Sequence, residues 1–223
     1  MSVSVKNERR RLENGFILQG ELTMRRSVCY YIIMDEKGGY GGMRFESKEI
    51  VLKDGARAIL RSPRVEDAQE MLNYLKATAG ETEFVIRYPE ECTMTLEQEE
   101  RFIRSIVDSE SDVMILCVID GRIAGNCQLK FGTRIKTRHS GRVAIALYRE
   151  FWGRGIGTIL FEEMIGLAKQ RGLMQLELEF VEGNERGRAL YEKMGFSIVA
   201  VRPDAYLLKD GSFRKEYIMM KKL

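Results

Sequence analysis

The sequence predicts a mixed α/β domain, and three observations carry that prediction. Short runs rich in Val, Ile, Leu and Phe alternate with amphipathic stretches long enough for helices. Asp-Gly pairs at 54–55 and 120–121 separate apolar runs at hairpin spacing. Glycines at 153, 155 and 157 and at 195 punctuate the last two helical patterns. The resulting order is a hairpin, two helices, three strands, then a helix, a strand, a helix and two strands.

The elements follow from local residues. Ile50-Val51-Leu52 and Ala56–Leu60 flank Asp54-Gly55 as the two arms of a hairpin. Ser62-Pro63 with Glu66-Asp67 opens a helix ending near Ala77, and residues 80–92 read as an acidic, aromatic loop. Thr95-Leu96-Glu97-Gln98 has the form of a capping box for a helix ending near Asp108. Residues 113–119 and 123–131 are strands, and 142–147 is a shorter one. A helix over 155–171 places Ile156, Ile159, Leu160, Met164, Leu167 and Ala168 on one face. Leu176, Leu178 and Phe180 share one side of a strand over 175–181. Residues 184–194 form a helix closed by Gly195, and strands begin at Ser197 and span 217–220.

Composition limits the possible functions. The 223 residues are 44% hydrophobic and 31% charged, ordinary values for a folded soluble chain with its own core. A formal net charge of +3 is too small to imply nucleic acid by itself. Cys29, Cys92, Cys117 and Cys127 contain no C-x-x-C pair, which fits a reducing compartment better than a disulfide framework or a zinc cluster. His139 is the single histidine, so a site needing two imidazoles is excluded. The longest apolar run, 113–119, is far short of the roughly 20 residues that span a bilayer. The first residues lack an apolar signal core, so a cytoplasmic protein without membrane partners is expected. Residues 1–47 read as an N-terminal arm, either an appendage or an extension upstream of an alternative start at Met43. The arm carries the basic run Arg9-Arg10-Arg11, and Gly38–Gly42 reads as a flexible break rather than a strand interior. The folded domain is expected over 48–223.

The segment Trp152-Gly153-Arg154-Gly155-Ile156-Gly157-Thr158 stands where a strand gives way to a helix. Its glycines let backbone amides converge, and the helix behind them adds unpaired N–H groups and a partial positive charge. Such a place suits a phosphate or diphosphate, although a tight turn needing glycine angles reads equally well. No lysine follows as in a Walker loop, and Thr158 replaces the third glycine of the dinucleotide fingerprint.

A second segment, Asn184 through Arg188-Ala189-Leu190-Tyr191 to Gly195-Phe196, lies 27 residues beyond Gly157. Together the two segments resemble the GNAT superfamily of acyl-CoA-dependent N-acyltransferases over about residues 50 to 221. Gly155 and Gly157 match the Q/R-x-x-G-x-G/A loop, with Trp152 in the Gln/Arg place. The downstream residues match N-x-x-A-x-x-L-Y-x-x-x-G-F, with Gly187 where Ala is usual.

The resemblance implies a central mixed, mostly antiparallel sheet flanked by helices, with a V-shaped cleft between the strands ending at Leu147 and Val181. It implies acetyl-CoA as co-substrate, without metal, and acetyl transfer to a primary amine by direct transfer in a ternary complex. Backbone at Leu147 would bind the pantetheine arm, and amides over Trp152, Gly153, Arg154, Gly155, Ile156, Gly157 and Thr158 would hold the diphosphate. Asn184 would reach the cofactor arm, and Tyr191 would sit near the sulfur as the acid. An alkylamine of pKa about 10.4 is neutral only about once in a few thousand at pH 7, a penalty of roughly 4.6 kcal/mol, and a carboxylate, directly or through water, could accept its proton. Glu81 and Glu83 stand in the loop that would line the acceptor side, and Glu83 is the chosen base. His139 reads as a polar turn residue, Cys117 and Cys127 as core, and Arg9–Arg11 as solvated. The acceptor is a small-molecule or peptide amine, no nucleic acid is expected, and a homodimer is left open. The alternative is a non-catalytic CoA-binding regulatory module. A third reading, nucleic-acid binding through the basic arm, has little support.

Overall fold

The computed structural model describes residues 40–223, with side chains from 42 onward, and three short strands before them. β1 (Arg10–Arg11) pairs antiparallel with β2 (Ile17–Leu18), and β3 (Tyr30–Met34) with β4 (Tyr40–Phe45). The side chains of the basic run and the order of the rest of the arm lie outside the described residues. The glycine run departs from its expected role, because Gly41 and Gly42 lie inside β4. A Cβ on Gly42 would sit 2.1 Å from the Val107 carbonyl oxygen, so its absence lets this strand press onto the end of a helix. Met43 donates its amide to the Ser109 carbonyl, and Met43 and Phe45 are buried in the main core.

The remaining strands are β5 (Lys48–Val51), β6 (Arg57–Arg61), β7 (Asp112–Ile119), β8 (Arg122–Phe131), β9 (Ser140–Leu147), β10 (Gln175–Val181), β11 (Ser197–Leu207) and β12 (Phe213–Lys222). They form one eight-stranded sheet in the order β11-β12-β10-β9-β8-β7-β6-β5. Every neighbouring pair is antiparallel except β9 and β10. The helices are α1 (Ala68–Glu81), α2 (Leu96–Val107), α3 (Ile156–Gln170) and α4 (Glu185–Lys193).

The element order matches the reading of the sequence, and the local signals explain why. Gly55 and Gly121 take φ of 84° and 80° at the two Asp-Gly turns, values glycine adopts freely. Thr95 accepts the Gln98 amide at 3.3 Å while Gln98 accepts the Thr95 amide at 2.8 Å, closing the capping box of α2. One boundary moves: α1 runs on to Glu81, through Gly80, instead of stopping near Ala77. Its last turn is held from outside, because the Glu81 carboxylate accepts the Arg149 amide at 2.8 Å.

Two cores flank the sheet. Val113, Ile115, Cys117 and Ile119 of β7 face the larger core with α3 and Tyr191 of α4, whereas Met114, Leu116 and Val118 face α1 and α2. A strand buried on both faces reads as an unbroken apolar run, as 113–119 does. Helices on opposite faces leave the middle of the sheet as the place where a ligand can enter between strands.

Candidate active site

The parallel pair β9 and β10 holds together only at one end. Ser140, Gly141 and Arg142 pair with Gln175, Leu176 and Glu177, and the two strands then part. β9 keeps its outer neighbour β8 as far as Leu147, and β10 keeps β12 as far as Val181. The facing edges of 143–147 and 178–181 therefore present backbone groups without a strand partner to a wedge-shaped opening. Inside a sheet such groups call for a ligand or water. This is the V-shaped cleft.

The glycine loop closes one mouth of the cleft. After β9 a short 3-10 turn, Arg149–Phe151, donates the Phe151 and Trp152 amides to the carbonyls of Tyr148 and Arg149. Gly153 and Gly155 then adopt φ of 80° and 91°, where a Cβ is strained, and α3 begins at Ile156. Among the described residues, none of the amides of Gly153, Arg154, Gly155, Ile156, Gly157 and Thr158 donates to another protein group. The last three belong to the first turn of α3, whose N–H groups have no intrahelical acceptor and carry the positive end of the helix dipole.

The surroundings are basic. The Arg149 and Arg186 guanidinium carbons lie 5.6 and 5.4 Å from the Trp152 ring centroid, and Lys193 donates to the Thr158 hydroxyl at 3.2 Å. Arg154 is tied to Asp54 at 2.5 Å. Orphan amides converging in a positive field are the donor set a diphosphate requires, so the loop fits the phosphates of a coenzyme A thioester.

Two of the expected binding residues are engaged differently. The Trp152 amide is already spent on Arg149, and its indole N–H donates to the Leu147 carbonyl at 3.0 Å. Trp152 thus fixes the end of β9, and the free amide series starts at Gly153. Asn184 caps α4 by accepting the Gly187 amide at 2.9 Å. A Cβ on Gly187 would lie 2.6 Å from the Asn184 side chain, so the glycine here makes room for the cap.

Tyr191 is buried between Phe161 of α3 and Phe180 of β10, with ring centroids 5.6 and 5.8 Å away. Its hydroxyl has no hydrogen-bond partner among the described residues. Burial, and then the nearby Cys127 thiol on β8, push its pKa up to about 12. The ring thus packs against Phe180 in the splayed part of β10, and the phenol keeps its proton at neutral pH.

The other side of the cleft opens into a pocket of about 530 Å³. One wall is the end of α1 and the following loop, including Glu81, Glu83, Ile86 and Tyr88, and the other is Val181 with residues 205–208. Glu83 is 65% exposed on its side chain and 3.9 Å from the Arg214 guanidinium. The walls touch where Lys209 donates its amide to the Tyr88 hydroxyl at 3.1 Å and its ammonium to Glu90.

Sequence reasoning passed over two residues here, Tyr206 and Glu216. Tyr206 lines the pocket and donates its hydroxyl to Glu216, which is 2% exposed beneath it. His139 is a turn residue whose carbonyl accepts the Met174 and Gln175 amides, while Cys117 and Cys127 are buried in strands. Burial drives the Cys117 thiol up to about 12 and the Cys127 thiol also upward, opposite to what a nucleophilic thiolate needs.

Comparison with known proteins agrees with this geometry. The model of the Acetyltransferase (GNAT) family matches residues 74–196, and the chain belongs to that family. A ribosomal protein bS18-alanine N-acetyltransferase from Escherichia coli is 34% identical over 76 residues, 34% of this chain and 50% of that protein. The chain thus spans about half the length of the curated relatives it matches. The crystal structure of a GNAT-family acetyltransferase from Streptococcus pneumoniae superposes with a TM-score of 0.70 at 28% identity, covering 74% of this chain and 99% of that one. A ribosomal L7/L12 alpha-N-protein acetyltransferase in complex with coenzyme A shares the fold at 15% identity, with a TM-score of 0.63 over 74% and 94% of the two chains. Among the described residues, no helix is long and apolar enough to cross a membrane.

Proposed function

We propose that the protein transfers the acetyl group of acetyl-CoA directly to a primary amine bound in the same cleft. The observation that carries this reading is the row of six unpaired amides, Gly153 to Thr158, at the mouth of a sheet opened between β9 and β10. Acetyl-CoA supplies an activated acyl thioester, and the chain supplies everything else. The loop amides and the dipole of α3 hold the diphosphate, with Arg149 and Arg186 adding positive charge at the rim. The free edges of β9 and β10 lie where the pantetheine amides can complete the interrupted sheet. The Asn184 side chain, anchored through its oxygen, retains its amide N–H groups for the cofactor arm.

Tyr191 is assigned the proton donated to the leaving sulfur: its phenol keeps that proton at neutral pH, although burial makes it a weaker acid than a free tyrosine. Glu83, exposed on the pocket wall, is assigned the proton that the amine must lose. Changing Glu83 to Gln should lower kcat about 10²-fold, whereas a change below threefold would remove it from this role. The names of the relatives make alanine amines of ribosomal proteins one acceptor class to test beside free amines.

Thiol release from acetyl-CoA across a panel of peptides, polyamines and amino acids tests the reading, with calorimetry of cofactor binding alongside. Amine-dependent thiol release is expected. Cofactor binding without thiol release from any amine would make the protein a CoA-binding regulatory module, and no binding at millimolar cofactor would reject both.

A further inference from the structure

β11 does not run straight beside β12. Arg202 pairs with Glu216 and Tyr206 with Arg214, so four steps along β11 match two along β12. The surplus is taken up around Pro203-Asp204-Ala205, with Asp204 at φ 48°, a value uncommon outside glycine. Bulges of this kind re-aim a side chain, and this one brings Ala205 and Tyr206 into the lining of the acceptor pocket.

Beneath Tyr206 lies Glu216, opposite Val181 of β10, which also lines the pocket. Its side chain is 3% exposed, with one oxygen accepting the Tyr206 hydroxyl and the other 2.6 Å from Arg202. A carboxylate so far from water is costly unless charge and hydrogen bonds surround it. Here the Tyr206 hydroxyl satisfies one oxygen and the Arg202 charge stands against the other, which makes no hydrogen bond among the described residues, and the arrangement fixes where the phenol proton points. The phenol donates to Glu216, so its oxygen keeps only accepting lone pairs for a group that reaches it from the pocket, with their negative character enhanced by the carboxylate behind. An oxygen presented this way accepts a hydrogen bond and offers none.

We infer that Tyr206 is the acceptor-binding residue of the cleft, receiving an N–H of the incoming amine, and that Glu216 is the positioning residue that holds Tyr206 in that orientation. The inference rests on the transferase reading and adds to it the group that distinguishes an amine from an alcohol of the same shape. An alcohol has only its single O–H to donate, whereas an ammonium or amine can donate to Tyr206 while a second N–H faces the base. Burial and Glu216 both push the Tyr206 pKa upward, so the phenol keeps its inward proton throughout the working pH range.

The test uses the full chain with three probes: spermidine, lysine methyl ester and an alanine-initiated hexapeptide. Binding of each to the CoA-loaded protein is measured by calorimetry and turnover by thiol release, in the wild type and in Tyr206→Phe and Glu216→Gln. For whichever probe binds, Tyr206→Phe should raise the amine Kd and KM about tenfold, the factor expected for one hydrogen bond to a charged group, with the acetyl-CoA Kd unchanged. Glu216→Gln keeps an oxygen for the phenol proton but loses the charge, and it should raise the amine KM by a smaller factor at unchanged melting temperature. An amine Kd within twofold of wild type in Tyr206→Phe, or an equal weakening of acetyl-CoA, would overturn the inference while leaving the transferase reading intact. Amine binding that depends on Tyr206 without any thiol release would support the inference and defeat the transferase reading. Absence of both binding and turnover with all three probes would overturn the inference.

Discussion

Single side chains decide what this cleft can do. The Tyr191 phenol is neutral up to about pH 12 because burial penalises its anion. A folded-state pKa above the unfolded value of about 10 contributes stability below pH 10, and that contribution is lost as pH rises through about 12. An alkaline fall of kcat below pH 11 would therefore report some other group. Changing Tyr191 to Phe should lower kcat about 10²-fold with the acetyl-CoA Kd within twofold, and undiminished turnover would dismiss it as the acid. Glu99 on α2 offers a second test at this scale. It is fully buried, and both carboxylate oxygens lack a hydrogen-bond partner among the described residues. Desolvation raises its pKa, and Arg87 offsets this only in part. The folded state thus holds the Glu99 proton more tightly than the unfolded chain, and its contribution to stability is lost as pH rises from the unfolded value through the raised one. Glu99→Gln should raise the melting temperature at pH 8 and change it little at pH 4, and equal shifts at both would contradict this.

At the scale of elements, the loop between β9 and α3 depends on backbone angles that glycine alone adopts without strain. Gly153 at φ 80° has open space around its missing Cβ, the nearest atom being an Arg186 nitrogen at 4.0 Å. Replacing it with Ala would cost roughly 1–2 kcal/mol of backbone strain and tilt the following amides. The acetyl-CoA Kd should rise at least tenfold with secondary structure intact, and an unchanged Kd would show that these amides do not hold the cofactor. The same scale shows what was legible. The Asp-Gly hairpins, the capping box at Thr95 and the glycine loop were readable because each is decided by four to seven consecutive residues. The extension of α1 to Glu81 was not, because Gly80 looks like a stop and the Arg149 amide that secures the end lies 68 positions away. The bulge at 203–205 was hidden for a similar reason. The start of β11 at Ser197 gives no sign of it, because the register shift between Arg202 and Tyr206 exists only against β12.

For the whole molecule, the parting of two parallel strands matters most, since it turns the middle of a sheet into a binding wedge with a helix terminus at one mouth and an acidic, aromatic pocket at the other. The cofactor half of that wedge was legible through its two motifs, and the acceptor half was not. Tyr206 and Glu216 meet only when β11 and β12 fold back on each other, and Glu216 becomes buried only when β10 pairs beside it. Likewise, the backbone at Leu147 expected to bind the pantetheine arm has its carbonyl held by the Trp152 indole, a contact that no local sequence signal announces. The claim on which everything rests is that the amides from Gly153 to Thr158 grip the diphosphate of the coenzyme. Amide proton–nitrogen spectra of the isotopically labelled protein, recorded as coenzyme A is added, test it directly. The account predicts that these six resonances shift most and saturate together, whereas six stationary resonances beside shifts elsewhere would contradict it.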